Sequence, residues 1–212
     1  MPLAVFGGTF DPPHHGHLAL CLFARELLAI DRLILSVSNN PFKQNRKADD
    51  VHRKCMVELL ASEINRTDSC CCEVTGWELE RQQPSYTVDL LRYLHIRYPA
   101  DPLTLLVGED SFREFASWKE SETLLFLCDV VVFGRASAKM SGLAGLPPHA
   151  AAIKFIDFAA PVSSTEVREL AASGKSFSRL VPASVHRYIT EHALYRQPLS
   201  STSTPGLKLQ ES

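Results

Sequence analysis

The chain has 212 residues, 45 % of them hydrophobic, and a formal net charge of -2. That size suits one domain with a real apolar core, and a charge so near zero gives no bulk attraction for nucleic acid or an anionic membrane surface. No window reaches the roughly 18–20 apolar residues of a membrane span, and no basic stretch precedes an apolar one at the N-terminus, so a cytoplasmic protein is expected.

The first apolar run, residues 3–6, ends in Gly7-Gly8-Thr9-Phe10-Asp11-Pro12-Pro13-His14-His15-Gly16-His17. Residues 16–29 follow, with Leu18, Cys21, Leu22, Arg25 and Leu28 at helical spacing. The opening unit therefore reads strand, Gly-rich turn, helix. Paired glycines allow close approach of backbone to a ligand and positive φ where it is needed. A helix start offers N–H groups and a positive dipole end to an anion. His14 and His17 at that junction suggest a phosphate site; a turn histidine and a capping histidine are the structural alternative. His15 is expected to point away.

Residues 32–37 form a nearly continuous apolar run, the pattern of a strand buried on both faces. A basic, irregular loop, 38–47, lies past its carboxyl end. The next helix has Asp49 or Asp50 as its cap and Met56, Val57, Leu59 and Leu60 as apolar positions. Residues 71–74 read as a strand, 76–80 as its continuation or a connection, and 83–87 as a turn into a helix over 88–98, which Pro99 and Pro102 stop. Residues 103–107 are another buried strand, ending in Gly108-Glu109-Asp110-Ser111. Helices are expected over 112–118 and 122–127, and strands over 129–133, ending in Gly134-Arg135, and over 153–158. Residues 136–151, rich in Ala, Gly, Pro and Ser, read as a variable surface connection. Ser163 to Glu166 matches a capping box for a helix ending near Gly174. An amphipathic helix over 182–194 comes last. Residues 1–196 are read as one domain and 197–212 as a disordered tail.

Alternating strands and helices give an α/β, doubly wound, Rossmann-like parallel sheet with helices on both faces. Ligands in such sheets sit beyond the carboxyl ends of the strands, at the switch point. The polar clusters at Gly8–Phe10, 39–43, Gly108–Ser111, Arg135 and 163–168 all fall there, which predicts one nucleotide-sized pocket. The six cysteines contain no C-x-x-C pair, and adjacent cysteines in a strand face opposite ways. All six are expected to be reduced structural thiols.

The loop Gly7 to Leu18 resembles the signature of the nucleotidyltransferase superfamily with the H-x-G-H motif, and Val162-Ser163-Ser164-Thr165-Glu166-Val167-Arg168 resembles its I-S-S-T-x-I-R motif. Pro84-Ser85-Tyr86-Thr87, Gly108-Glu109-Asp110-Ser111 followed by Trp118, and Leu194-Tyr195-Arg196 are similar to one branch, the bacterial nicotinate-nucleotide adenylyltransferases. The resemblance covers residues 1 to about 196. It implies adenylyl transfer from ATP to nicotinate mononucleotide, giving deamido-NAD and pyrophosphate. His14 and His17 would be catalytic, and imidazoles with an ordinary pKa of about 6.5 could gain positive character as charge builds.

By the same resemblance ATP would lie against Gly8, Thr9, Phe10, His14, His17, Lys43, Gly108, Asp110, Arg135, Ser164, Thr165 and Arg168, with Mg2+ carried on its phosphates. Nicotinate mononucleotide would lie against Asn39, Asn40, Tyr86, Thr87 and Trp118. Core packing is the alternative for Tyr86 and Trp118, and a helix cap is the alternative for Asp110. Many relatives read Pro-Pro-His-Lys where this chain has Asn40-Pro41-Phe42-Lys43, so Lys43 is either a triphosphate contact or a solvated loop lysine. Nicotinamide mononucleotide or phosphopantetheine as acceptor, and a non-catalytic nucleotide-binding regulator, remain the rival functions. A dehydrogenase would want a G-x-G-x-x-G turn, which Gly7-Gly8-Thr9-Phe10 does not provide.

Overall fold

Each of the six runs read as strands is a strand: β1 (Leu3–Gly8), β2 (Arg32–Val37), β3 (Cys71–Thr75), β4 (Leu103–Gly108), β5 (Asp129–Gly134) and β6 (Lys154–Asp157). The computed structural model describes residues 1–39, 46–67, 71–81, 84–135 and 153–196. The expectations for residues 136–151 and for the tail at 197–212 lie outside these. The strands form one sheet, every pairing parallel, in the order β3-β2-β1-β4-β5-β6. The chain winds outward from β1 to β3, returns to the middle at β4 and winds the other way. The switch point therefore falls between β1 and β4.

The α-helices among the described residues are α1 (His15–Leu28), α2 (Asp50–Asn65), α3 (Thr87–Arg97), α4 (Glu109–Phe112), α5 (Ser121–Leu127), α6 (Ser164–Ala172) and α7 (Ala183–Glu191). Strand alternation divides the core. Ala4 and Phe6 pack with Leu20, Cys21, Val57 and Leu60 of α1 and α2. Leu3 and Val5 face the other way, onto Val88, Leu91, Leu94 and Leu124 of α3 and α5. Both faces are thus covered, which is why the central strands are predominantly apolar on both sides. Val167, Ala171, Val185 and Ile189 of α6 and α7 form a third cluster with Met56.

The helix expected over 112–118 is divided. α4 starts earlier and stops at Phe112, and a 3-10 turn spans Phe115–Ser117. The i to i+3 geometry places Phe112 and Phe115 side by side, rings 5.5 Å apart and both fully buried. Asp49 occupies the N-cap of α2 but makes no side-chain cap; Asp50 instead pairs with Arg53 at 2.6 Å. Cys71 is exposed and Cys72 buried, as alternation requires. Trp77 is half-buried and stacks on Tyr93 at 4.9 Å.

The end of the described chain returns to its beginning: the Tyr195 hydroxyl donates to Asp11 Oδ1 at 2.8 Å. Burial and the adjacent carboxylate push that phenol upward, so it stays a donor. Tyr195→Phe should lower stability by about 2 kcal/mol, the usual worth of a hydrogen bond to a charged group. Urea unfolding will measure this; an unchanged midpoint would show that the tether contributes nothing.

Candidate active site

The crevice comes from how two neighbouring strands end. β1 and β4 pair from Leu3 with Leu103 to Phe6 with Leu106 and then part. β1 runs on to Gly8 beside β2, and β4 runs on to Gly108 beside β5. A Cβ on Gly7 or Gly108 would meet nothing within 4 Å. Two glycines flank open space at the switch point. A cavity of about 570 Å³ occupies it, with Gly7–Thr9, Tyr86–Thr87 and Trp118 in its wall.

The glycines do not supply the positive φ expected of this turn. Phe10 does, at 49°. Its ring folds back over Gly8, where a Cβ would lie 2.9 Å from it. The ring is only 2 % exposed and meets Phe6 at 5.7 Å and His17 at 5.0 Å. The Phe10 side chain is therefore core, and only its backbone is left to meet a nucleotide.

His14 and His17 are brought together. Their rings stack at 3.8 Å, 26° apart. His14 is the N-cap of α1, and its Nδ1 accepts the Gly16 N–H at 3.1 Å. His17 Nδ1 accepts the His14 N–H, also at 3.1 Å. A neutral imidazole that accepts at Nδ1 carries its proton on Nε2. The helix start thus sets both tautomers and leaves two Nε2–H donors. Space at Gly16 is tight: a Cβ there would lie 3.0 Å from the His14 ring and 3.1 Å from Ala160 Cβ. Burial pushes His14 down to about 4, helped by His15, and holds His17 well below its ordinary value, helped by His14. In the free protein these are neutral donors, held below the ordinary imidazole value of about 6.5. His15 is exposed, as expected of a spacer.

The second motif docks directly on the first. Ser163 Oγ accepts the Glu166 N–H at 3.1 Å and caps α6. Ser164 Oγ donates to Pro12 O at 2.8 Å. Arg168 Nη1 donates to Asp11 O at 2.7 Å, and Nη2 to Thr165 Oγ1 at 3.0 Å. Those two bonds use two of a guanidinium's five donors. Ser164 is thus committed to the loop, while Thr165 is exposed and Arg168 half-buried beside the histidines' turn.

The remaining expectations divide. Asp110 is exposed in the first turn of α4, whose N-cap is Gly108, so it is not the cap. Arg135 is exposed, with its N–H donated to Glu109 Oε2 at 3.0 Å; the contact holds Glu109 below the usual carboxylate range. Asn39 Oδ1 accepts from Arg46 at 2.9 Å. Trp118 leans on Phe115 at 5.1 Å and lines the cavity. Tyr86 carries the Lys119 ammonium 4.7 Å from its ring centre. Asn40 and Lys43 lie outside the described residues.

Three residues with no role in the sequence reading hold the site. Asp11 Oδ2 accepts the Lys47 N–H at 2.7 Å, and Oδ1 the Ala48 N–H at 3.1 Å. Fully buried Arg53 donates to Thr9 O at 2.7 Å and Ser38 O at 3.1 Å. Glu78 accepts from Ser36 and Ser85. Arg53 carried a signal: it falls on the stripe Arg53, Met56, Val57, Leu60, where an apolar side chain is the norm.

The cytidylyltransferase-like family model matches residues 5–170, from β1 to the end of the second motif. The chain belongs to the cytidylyltransferase-like family. It is 61 % identical over 215 residues, the full length of both chains, to the probable nicotinate-nucleotide adenylyltransferase of Pelodictyon phaeoclathratiforme. It is 55 % identical to that of Chlorobium phaeovibrioides, over 92 % of this chain and 99 % of the relative. The fold is shared with the Plasmodium falciparum nicotinic acid mononucleotide adenylyltransferase complexed with NaAD, at a TM-score of 0.73, with 19 % identity and 92 % and 97 % of the two chains covered.

The histidine environment has a measurable consequence. An imidazole with pKa about 6.5 when unfolded and about 4 when folded is more readily protonated in the unfolded state. Its contribution to stability is complete above about pH 6.5 and is lost as pH falls toward 4. For His14 that loss should be about 3 kcal/mol. Urea unfolding at pH 7 and pH 4 will read it, and His14→Gln should lose less on acidification. An equal loss in both proteins would refute the assignment.

Proposed function

We infer that the protein is a nicotinate-nucleotide adenylyltransferase that transfers the adenylyl group of ATP to nicotinate mononucleotide. The observation that supports this best is the junction of the two motifs, Ser164 on Pro12 and Arg168 on Asp11, beside a crevice at the switch point. Full-length similarity to a probable nicotinate-nucleotide adenylyltransferase supports the acceptor.

In the reaction an oxygen of the acceptor's phosphate forms a bond to the α-phosphorus of ATP. The bond from that phosphorus to the α,β-bridging oxygen breaks, and pyrophosphate leaves with the electron pair. The phosphate is already a nucleophile, so no side chain need be one. Positioning and stabilisation of developing charge are what the protein must supply. The two Nε2–H groups of His14 and His17 are donors held side by side for the transferring phosphoryl group. Thr165, Arg168 and the start of α6 receive the outgoing phosphates. Gly8, Thr9, Gly108, Asp110 and Arg135, all at strand carboxyl ends, are assigned to the rest of ATP.

Among the described residues no three His, Cys, Asp or Glu side chains converge as a metal cage. The donors present, imidazole N–H and guanidinium, suit phosphate and not a cation. Mg2+ is accordingly assigned to the substrate, entering as MgATP.

The cavity at Tyr86, Thr87 and Trp118 is assigned to nicotinate mononucleotide. Trp118 offers an aromatic face to the pyridine ring. Tyr86, the N-cap of α3, makes no side-chain cap, and the first N–H groups of that helix suit the nicotinate carboxylate. Asn39 is assigned to the same side. Residues 1–196 are taken as the catalytic unit, and the cytoplasm as its compartment.

Turnover with MgATP and, in turn, nicotinate mononucleotide, nicotinamide mononucleotide and phosphopantetheine tests the central reading; deamido-NAD should be the preferred product, and preference for another would defeat it. His17→Ala should lower kcat by at least about 100-fold, the usual effect of losing one preorganised donor, while the unfolding temperature moves by less than about 5 °C. A near-normal kcat would remove His17 from the chemistry. Trp118→Ala should raise KM for the nicotinate substrate by about tenfold or more through lost ring contact, with KM for ATP little changed.

A further inference from the structure

Glu78 is an acidic side chain in the cavity wall that is only 4 % exposed. Its carboxylate is shared among three segments. Oε1 accepts the Ser36 hydroxyl at 2.8 Å; Ser36 belongs to β2. Oε2 accepts the Ser85 hydroxyl at 2.8 Å and the Asn39 N–H at 3.4 Å. Ser85 is itself 1 % exposed and stands one residue ahead of Tyr86, the N-cap of α3. Glu78 lies in the turn that follows β3, where Leu79 and Glu80 donate their N–H groups back to Gly76. One carboxylate thus ties that turn to the end of β2 and to the entry of α3.

These bonds matter for the position of α3. The Tyr86 side chain does not cap the helix, and the N–H of Asp89, in its first turn, is donated to Tyr86 O at 3.0 Å. Where the first N–H groups point depends on how the chain enters the helix. Ser85 fixes that entry through Glu78. A buried hydroxyl left without this acceptor would have to turn elsewhere or go unsatisfied, at the cost that accompanies any orphaned polar group.

We propose that Glu78 is a positioning residue for the acceptor substrate: by holding Ser85 against the end of β2, it sets the place and direction of the α3 N–H groups that receive the nicotinate carboxylate. The proposal rests on the reading of this cavity as the acceptor side. It assigns Glu78 no contact with the reacting atoms and no part in binding ATP.

The variants separate position from charge. Glu78→Met keeps the shape and removes the acceptors. Ser85→Ala removes one tether with little change in volume. Glu78→Gln loses the charge but can keep all three contacts, because its amide oxygen can face Ser85 and Asn39 while its NH2 donates to the Ser36 hydroxyl. In the full-length protein, Glu78→Met and Ser85→Ala should raise KM for nicotinate mononucleotide by about tenfold, the scale of a small misplacement of a binding group. KM for MgATP should stay within about twofold of the parent value on the same reasoning. Glu78→Gln should restore the acceptor KM to near the parent value. Ser85→Ala carries the test if Glu78→Met does not fold.

Equal rises in both KM values, an unchanged acceptor KM in Ser85→Ala, or a Glu78→Gln protein as impaired as Glu78→Met would each overturn the proposal. Trp118→Ala keeps the two levels apart. If it leaves the acceptor KM unchanged, the acceptor-side reading falls and Glu78's role with it. If it raises that KM while Ser85→Ala and Glu78→Met do not, only the role of Glu78 falls.

Discussion

The buried Asp11 carboxylate is the constraint on which the site depends. It accepts from Lys47 N, Ala48 N and the Tyr195 hydroxyl, while its backbone carbonyl accepts from Arg168. Three widely separated parts of the chain meet at one residue of the loop between β1 and α1. A carboxylate removed from water is costly unless its oxygens are occupied by donors, so none of these segments can drift without exposing the rest to that cost. The loop that carries His14 is therefore held from several sides before any ligand arrives. Its rigidity comes from charge-assisted hydrogen bonds, not from the glycines that mark it in the sequence.

The histidine pair illustrates the same preorganisation in electrostatic form. Two imidazolium rings 3.8 Å apart would repel strongly in a buried setting. Two neutral rings can stack there, each with its tautomer chosen by a backbone N–H at the helix start. The free protein therefore stores donors in fixed directions, and Arg168 beside them brings a guanidinium. Donors that need no reorganisation are worth most where charge develops in a transition state. The approach of a polyanion would raise the histidine pKa values from their depressed level, so proton affinity is coupled to occupancy of the site.

Much of this was legible in the residues. Nearly continuous apolar runs marked the inner strands, and the alternation of strands with helical stripes gave the doubly wound sheet. The two motifs announced a phosphate site, and the structure joins them through Ser164 and Arg168. What escaped is what depends on the third dimension. Nothing local says that the Phe10 ring turns inward to support His17, because that follows from a positive φ and from the space Gly8 leaves. The depressed histidine pKa values come from burial, which sequence spacing does not encode. Asp11 read as one more turn residue and Glu78 as part of a connection, because the partners of each lie up to 184 and 42 residues away. Arg53 broke a visible pattern, a cation on an apolar stripe, as Arg25 does on α1.

The distribution of buried polar side chains explains why such residues are retained. Asp11, His14, Ser36, Arg53, Glu78 and Ser85 are buried at the carboxyl end of the sheet, and Arg25 is the other member of the set among the described residues. Apolar replacements that pack well often match or exceed the stability of buried polar groups, so stability alone would not concentrate them at one end. Their shared property is direction. Each bonds a loop or a helix start that would otherwise be free to shift: Arg53 the ends of β1 and β2, Asp11 the 47–48 segment, Glu78 the entry of α3. The amino-terminal end of the same strands needs no such direction. Glycines at the ends of β1 and β4 open the crevice, and this ring of buried polar groups determines its walls.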